Sequence, residues 1–184
     1  MTEYYLETYS GIKFYYNDIK LEYINIVDIA HAIAMQARCN GHTERFYGIA
    51  EHCLNVSEIV PDYLKLPALL HDAAEAYVGD LVGPVKYQPG LERYREIEDR
   101  ITGAIYKKFD ITVSAEDRKI IKLADLRMLK TEGLQLFKYP KEWSLIAPDI
   151  TPIEGFQILG LNWERAKEYY LDEFNRLMSL RTKI

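Results

Sequence analysis

Leu66-Pro67-Ala68-Leu69-Leu70-His71-Asp72-Ala73-Ala74-Glu75-Ala76-Tyr77 is an apolar, alanine-rich run broken by three hydrophilic residues. Alanine and leucine are strong helix formers, so residues 66–77 predict one compact helix that ends near Gly79. His71 and Glu75 are i and i+4 and share a face, with Asp72 beside them. A helix built of Ala68, Leu69, Leu70, Ala73, Ala74 and Ala76 belongs inside a protein. Burying an imidazole and carboxylates in such a helix costs several kcal/mol unless they are paired or bind a metal.

Outward from this helix the chain reads as helical on both sides. Upstream, Val27, Ala30, Ala34 and Ala37 recur at helical spacing until Asn40-Gly41 stops the run. Thr43 predicts the N-cap of a second helix running to about Val60. Downstream, Leu81 to Lys86 reads as a loop and Leu91 to Phe109 as a charged amphipathic helix whose stretch from Glu92 to Arg100 is a solvated face. Ser114, with Asp117 three residues on, predicts a capped helix to about Phe137. Tyr139 to Pro152 holds three prolines and reads as irregular, and Trp163 to Leu180 as a final amphipathic helix. Before all of these, residues 5–8 and 13–16 alternate around Ser10-Gly11 and predict a short β-hairpin. The expected fold is all-α, a helical bundle with a short N-terminal β-hairpin. It forms a single domain over 1–184, with a hairpin appendage at 1–16 and a helical core at 26–180.

Composition narrows the function. The chain has 184 residues, 48% apolar and 28% charged, which is ordinary for a globular domain. No apolar run approaches the 18 or so residues of a membrane span, and the N-terminus lacks the basic and apolar regions of a signal peptide. A cytoplasmic protein is expected, with Cys39 and Cys53 as reduced thiols outside any CxxC pair. The net charge is −5 and no basic patch is visible, which argues against nucleic-acid binding but leaves room for a small phosphorylated substrate.

Two further residues join the chemistry of the central helix. Asp125 sits among Ile121, Met128 and Leu129 at helical spacing, and taken alone it reads as a buried acid paired with an arginine or capping a loop. His52, within Ile49-Ala50-Glu51-His52-Cys53-Leu54, taken alone reads as a satisfied core histidine. Together, His52, His71, Asp72 and Asp125 give two imidazoles and two carboxylates on three helices. That mixed N/O set suits a divalent transition ion such as Mn²⁺, Co²⁺, Fe²⁺ or Zn²⁺. Glu75 and Asp80 are left over as a base, an acid or ligands of a second metal.

The order His52…His71-Asp72…Asp125 resembles the HD-domain metal-dependent phosphohydrolases. Ala50-Glu51-His52 looks like that family's first-ligand helix, and Leu123-Ala124-Asp125 like its last ligand. His71-Asp72-Ala73-Ala74-Glu75, Gly79-Asp80-Leu81 and Pro84-Val85-Lys86-Tyr87 resemble the corresponding stretch of the bacterial 5′-deoxynucleotidases. The short phage dATP triphosphohydrolases are similar in size and motif order. The resemblance implies a divalent metal, Mg²⁺ included, held by His52, His71, Asp72 and Asp125. It also implies that Glu75 positions or deprotonates the attacking water, that Asp80 assists, and that Arg38 contacts substrate. Cys39 stands where those relatives place a tryptophan. Arg45 and Lys86 are the further cations for phosphate. Arg45 also reads as a surface or ion-paired residue, and His42 reads equally as a substrate contact or a loop hydrogen bonder.

The favoured expectation is therefore a metal-dependent hydrolase of deoxynucleotides, with dATP as the first substrate and cleavage to deoxynucleoside and triphosphate. The alternatives are a 5′-deoxynucleotidase acting on deoxynucleoside monophosphates, and a non-catalytic HD module that binds nucleotide or metal. Convergence of Arg38, Arg45, Lys86 and another cation on one pocket would favour the triphosphate. The resemblance also implies a homo-oligomer, a dimer or larger, in a bacterial or phage-infected cytoplasm, while hydropathy and charge argue against a membrane or nucleic-acid partner.

Overall fold

Ser114 shows how directly the sequence sets the helix boundaries. Its hydroxyl accepts from the Asp117 backbone N–H, and the Asp117 carboxylate accepts from the Ser114 N–H, so the reciprocal cap forms and α7 runs Ala115–Leu136. The computed structural model describes residues 4–143, 145 and 147–181. It is mostly helical: α1 Ile26–Met35, α2 Ile49–Glu58, α3 Lys65–Leu69, α4 Glu75–Val78, α5 Gly83–Lys86, α6 Glu92–Lys108, α7, α8 Pro140–Trp143 and α9 Trp163–Arg181. Two strands, β1 Leu6–Glu7 and β2 Lys13–Phe14, pair antiparallel with Leu6 opposite Phe14. The expected all-α bundle with a short hairpin is what the chain forms; residues 1–3 of the hairpin segment lie outside the described residues.

The hairpin is fastened rather than loose. Buried Asp28 on α1 accepts from the Thr8 hydroxyl at 2.7 Å, the Ser10 N–H at 2.8 Å and the Ser10 hydroxyl at 2.7 Å. Phe14 is fully buried with its ring stacked on Tyr77, and the Tyr16 hydroxyl donates to the Tyr77 carbonyl at 2.5 Å. The hairpin thereby touches the segment that carries the hydrophilic residues of the central stretch.

α2 lies at the middle of the molecule, packed by α1, α3, α7 and α9. Surrounded in this way, it buries even Glu51 and His52. One apolar core, with Phe14, Ile33, Leu70, Ile105 and Tyr170, lies mainly on the α1, α6 and α9 side. A second, with Tyr47, Val56, Met128, Leu136 and Ile158, lies on the α7 side. α2 supplies residues to both. Among the described residues, no helix is long and apolar enough to cross a membrane.

Five local expectations change. The stretch 66–77 is not one helix: α3 ends at Leu69 and α4 begins at Glu75. Between them the chain tightens, with His71 N–H bonded to Ala68, Ala73 to Leu70 and Glu75 to Asp72, each three residues back. The helix expected from Thr43 starts instead at Ile49. Cys39, Asn40 and Gly41 all take positive φ, and an extended Ala37↔Gly48 bridge closes the loop they form. The Leu81 to Lys86 loop contains the single turn α5, and the irregular 139–152 stretch contains α8. The Glu92 to Arg100 face is not wholly solvated, because Glu98 turns inward to Lys86.

Candidate metal centre

Three pieces of backbone bring the acids and histidines together. α2 delivers His52, the tight turn after α3 delivers His71 and Asp72, and α7 delivers Asp125. His52 Nε2 lies 3.3 Å from Asp125 Oδ1 and 3.6 Å from Asp72 Oδ2. His71 Nε2 lies 3.2 Å from Asp72 Oδ2 and 4.0 Å from Asp125 Oδ1. The ligand atoms of His52, His71 and Asp72 are all within 4.8 Å of one another, so this group could hold a metal ion, and Asp125 faces it.

The fit to a cation rests on what each imidazole does with its two nitrogens. His71 Nδ1 is 2.7 Å from the Ala68 carbonyl, which can only accept, so Nδ1 carries a proton. His52 Nδ1 is 2.5 Å from the Glu132 carboxylate. The two Nε2 atoms are buried, have no hydrogen-bond partner, and lie against the same pair of aspartates. Buried polar atoms without partners are rare, and two in one place call for a bound group. Neutral imidazoles and carboxylates are the donors that divalent transition ions take.

The electrostatics set acids against one another. Burial opposes charge on Asp72, yet His71 beside it holds its carboxyl well below the usual range. Burial likewise opposes charge on Asp125, and the imidazoles of His52 and His71 beside it hold its carboxyl well below the usual range. Glu75 goes the other way: burial, then the charges of Asp72 and Asp80, raise its carboxyl well above the ordinary value. Asp80 is raised by burial. One side chain holds this pair in place. Gln36 donates to the Glu75 carbonyl at 3.1 Å and accepts from the Asp80 N–H at 3.2 Å.

Of the expected phosphate cations, only Arg38 contacts the cluster directly. It is buried, with Nη1 3.5 Å from Asp72 and Nε 3.4 Å from Glu132. Lys86 Nζ is paired with Glu98 at 2.6 Å. Arg45 donates to the Ile158 carbonyl at 2.9 Å, and exposed His42 bonds through its backbone N–H to Cys39. Among the described residues no hydrogen bond or ion pair joins Arg45 or His42 to the cluster. Three participants were not read from the sequence. Lys122 is largely exposed and reaches Asp125 Oδ2 at 2.7 Å. Glu98 compensates Lys86. Glu132 lies two helical turns beyond Asp125 on α7, and that spacing is the one signal that placed it on the same face. Glu51, next to His52 on α2, accepts from the Leu159, Gly160 and Leu161 N–H groups at 3.1, 2.9 and 2.6 Å.

No family model matches the chain. The chain is 33% identical over 177 residues to the uncharacterized protein YfdR of Escherichia coli (strain K12), covering 96% of this chain and 97% of that protein. It is 38% identical over 124 residues to an uncharacterized protein of Rhodobacter capsulatus, covering 61% of this chain and 63% of that protein.

Proposed function

This chain belongs to the same family as YfdR, and we propose that it is a metal-dependent phosphohydrolase of the HD type that removes phosphate from deoxynucleotides. The observation that carries the reading is the pair of buried, partnerless Nε2 atoms of His52 and His71 converging on Asp72 and Asp125. When bound there, a divalent cation would supply positive charge to phosphoryl oxygens and acidify water in contact with it.

The residues around the cluster can serve an in-line displacement. Glu75 has a raised proton affinity, so its carboxylate form is suited to take a proton from water as the water oxygen attacks phosphorus. Asp80, raised by burial, can hold a proton for the leaving oxygen as the P–O bond breaks. Arg38 brings a permanent cation to non-bridging oxygens, and Lys122 stands exposed beside Asp125.

Two substrates divide the support. The resemblance favours a triphosphate, dATP first. The cations favour a 5′-deoxynucleoside monophosphate, because Arg45 is turned to Ile158 and Lys86 is already compensated by Glu98. The deciding assay adds Mg²⁺, Mn²⁺, Co²⁺ or Zn²⁺ singly to metal-stripped protein with each deoxynucleoside mono- or triphosphate and resolves the products by chromatography. Deoxynucleoside plus triphosphate from dATP identifies a triphosphohydrolase, and turnover of monophosphates alone a 5′-deoxynucleotidase. No turnover from protein that binds the metal identifies a binding module. In the active case Glu75→Gln should lower kcat by about 100-fold or more while Mn²⁺ still binds.

A further inference from the structure

Behind the metal-facing side of His52 lies a connected set of polar groups, of which Tyr47, Asn55 and Glu132 have no part in the proposed reaction. The Asn55 amide donates to the Tyr47 hydroxyl at 3.0 Å, so the hydroxyl hydrogen is free to go onward, and it goes to Glu132 Oε1 at 2.8 Å. The same oxygen is 2.5 Å from His52 Nδ1, and the other Glu132 oxygen faces Arg38 Nε at 3.4 Å. Glu132 already accepts from the Tyr47 hydroxyl on Oε1 and faces the permanently charged Arg38 guanidinium with its other oxygen, so it accepts and His52 Nδ1 donates.

We propose that Glu132 is the positioning residue of the metal centre. It fixes the ring of His52, accepts the hydrogen bond of the Nδ1–H, and thereby leaves the Nε2 lone pair facing the cluster. The proposal rests on reading His52, His71, Asp72 and Asp125 as metal ligands. The geometry also says why a glutamate is required. An anion behind an imidazole raises its basicity as a ligand, and an amide of the same shape does not. His71 is backed instead by a neutral carbonyl, that of Ala68, so the two imidazoles are unequal donors and His52 is the stronger.

The test titrates Mn²⁺ into metal-stripped protein and follows the free ion by electron paramagnetic resonance. Glu132→Gln should bind Mn²⁺ roughly 10–100-fold more weakly than wild type, with an unchanged circular dichroism spectrum in chelator. His52→Ala should lose the site. Wild-type affinity in Glu132→Gln, alongside loss in His52→Ala, overturns the role of Glu132 and leaves the metal reading standing. Wild-type affinity in His52→Ala overturns the metal reading itself. If Glu132→Gln does not fold, the Zn²⁺-loaded wild-type protein decides by nitrogen-15 NMR. A protected, strongly deshielded N–H proton at Nδ1 of His52 supports the proposal, and coordination through Nδ1 or the absence of that proton overturns it.

Discussion

Glu51 and His52 are neighbours on α2 that serve different parts of the molecule. His52 faces the acids, whereas Glu51 gathers three successive backbone N–H groups of residues 159–161 onto one carboxylate. A hydrogen bond to a charged group is worth about 1.5–3 kcal/mol, and a buried donor left alone costs about as much as it gained. Glu51→Ala should therefore destabilise the protein by about 3 kcal/mol, read as a lower urea midpoint in chelator. Its effect on Mn²⁺ affinity should be smaller than that of Glu132→Gln, since no bond joins Glu51 to the cluster.

At the scale of single elements, α7 makes two separable predictions. Its capping acid Asp117 is held below the ordinary aspartate value of 3.8 chiefly by the hydrogen bond from Ser114. A group depressed on folding stabilises the fold above its unfolded value and loses that contribution as pH falls below it. Thermal melting should thus separate wild type from Asp117→Asn at neutral pH, and the two should converge well below pH 3.8. Farther along, a Cβ on Gly133 would lie 2.2 Å from the Trp143 ring. Gly133→Ala should displace α8, shift Trp143 fluorescence and cost about 1–3 kcal/mol, as overpacking does.

These elements also show what the sequence could reveal. The Ser114–Asp117 cap was legible because both partners are local, and the His and Asp residues of the cluster because polar groups stand out on apolar helices. Glu132 was not, since the His52 it serves is 80 positions away, and Glu98 passed for surface charge until Lys86 was placed against it. The break at Leu70 was hidden by composition. Alanines favour a helix, but the packing tightens the turn and sends His71 and Asp72 inward together. The start of the second helix was hidden likewise, because the Ala37↔Gly48 bridge and the buried Arg38 hold the loop beyond Thr43 and delay α2 to Ile49.

Across the whole molecule, the hairpin and the centre are linked through Tyr77. Asp28→Ala removes the acceptor for Thr8 and Ser10, so residues 4–16 should become sensitive to limited proteolysis while the helical signal in circular dichroism is kept. Metal should act on the whole fold. At a free Mn²⁺ concentration 100 times its Kd the gain is about 2.7 kcal/mol, visible as a rise in Tm that chelator reverses.

α2 is the wall shared by two apolar cores, and the residues facing the cluster come from that wall, from the turn at His71 and from α7 on the far side. A cation held among them would work as a rivet through the partition. Without it, the half built on α7, Tyr47 and Ile158 is free to open by itself, and its amides should exchange with deuterium earlier than those of the half built on α1, α6 and α9. With the rivet in place the two exchange rates should merge, so that a small ion decides whether the chain comes apart in one step or in two.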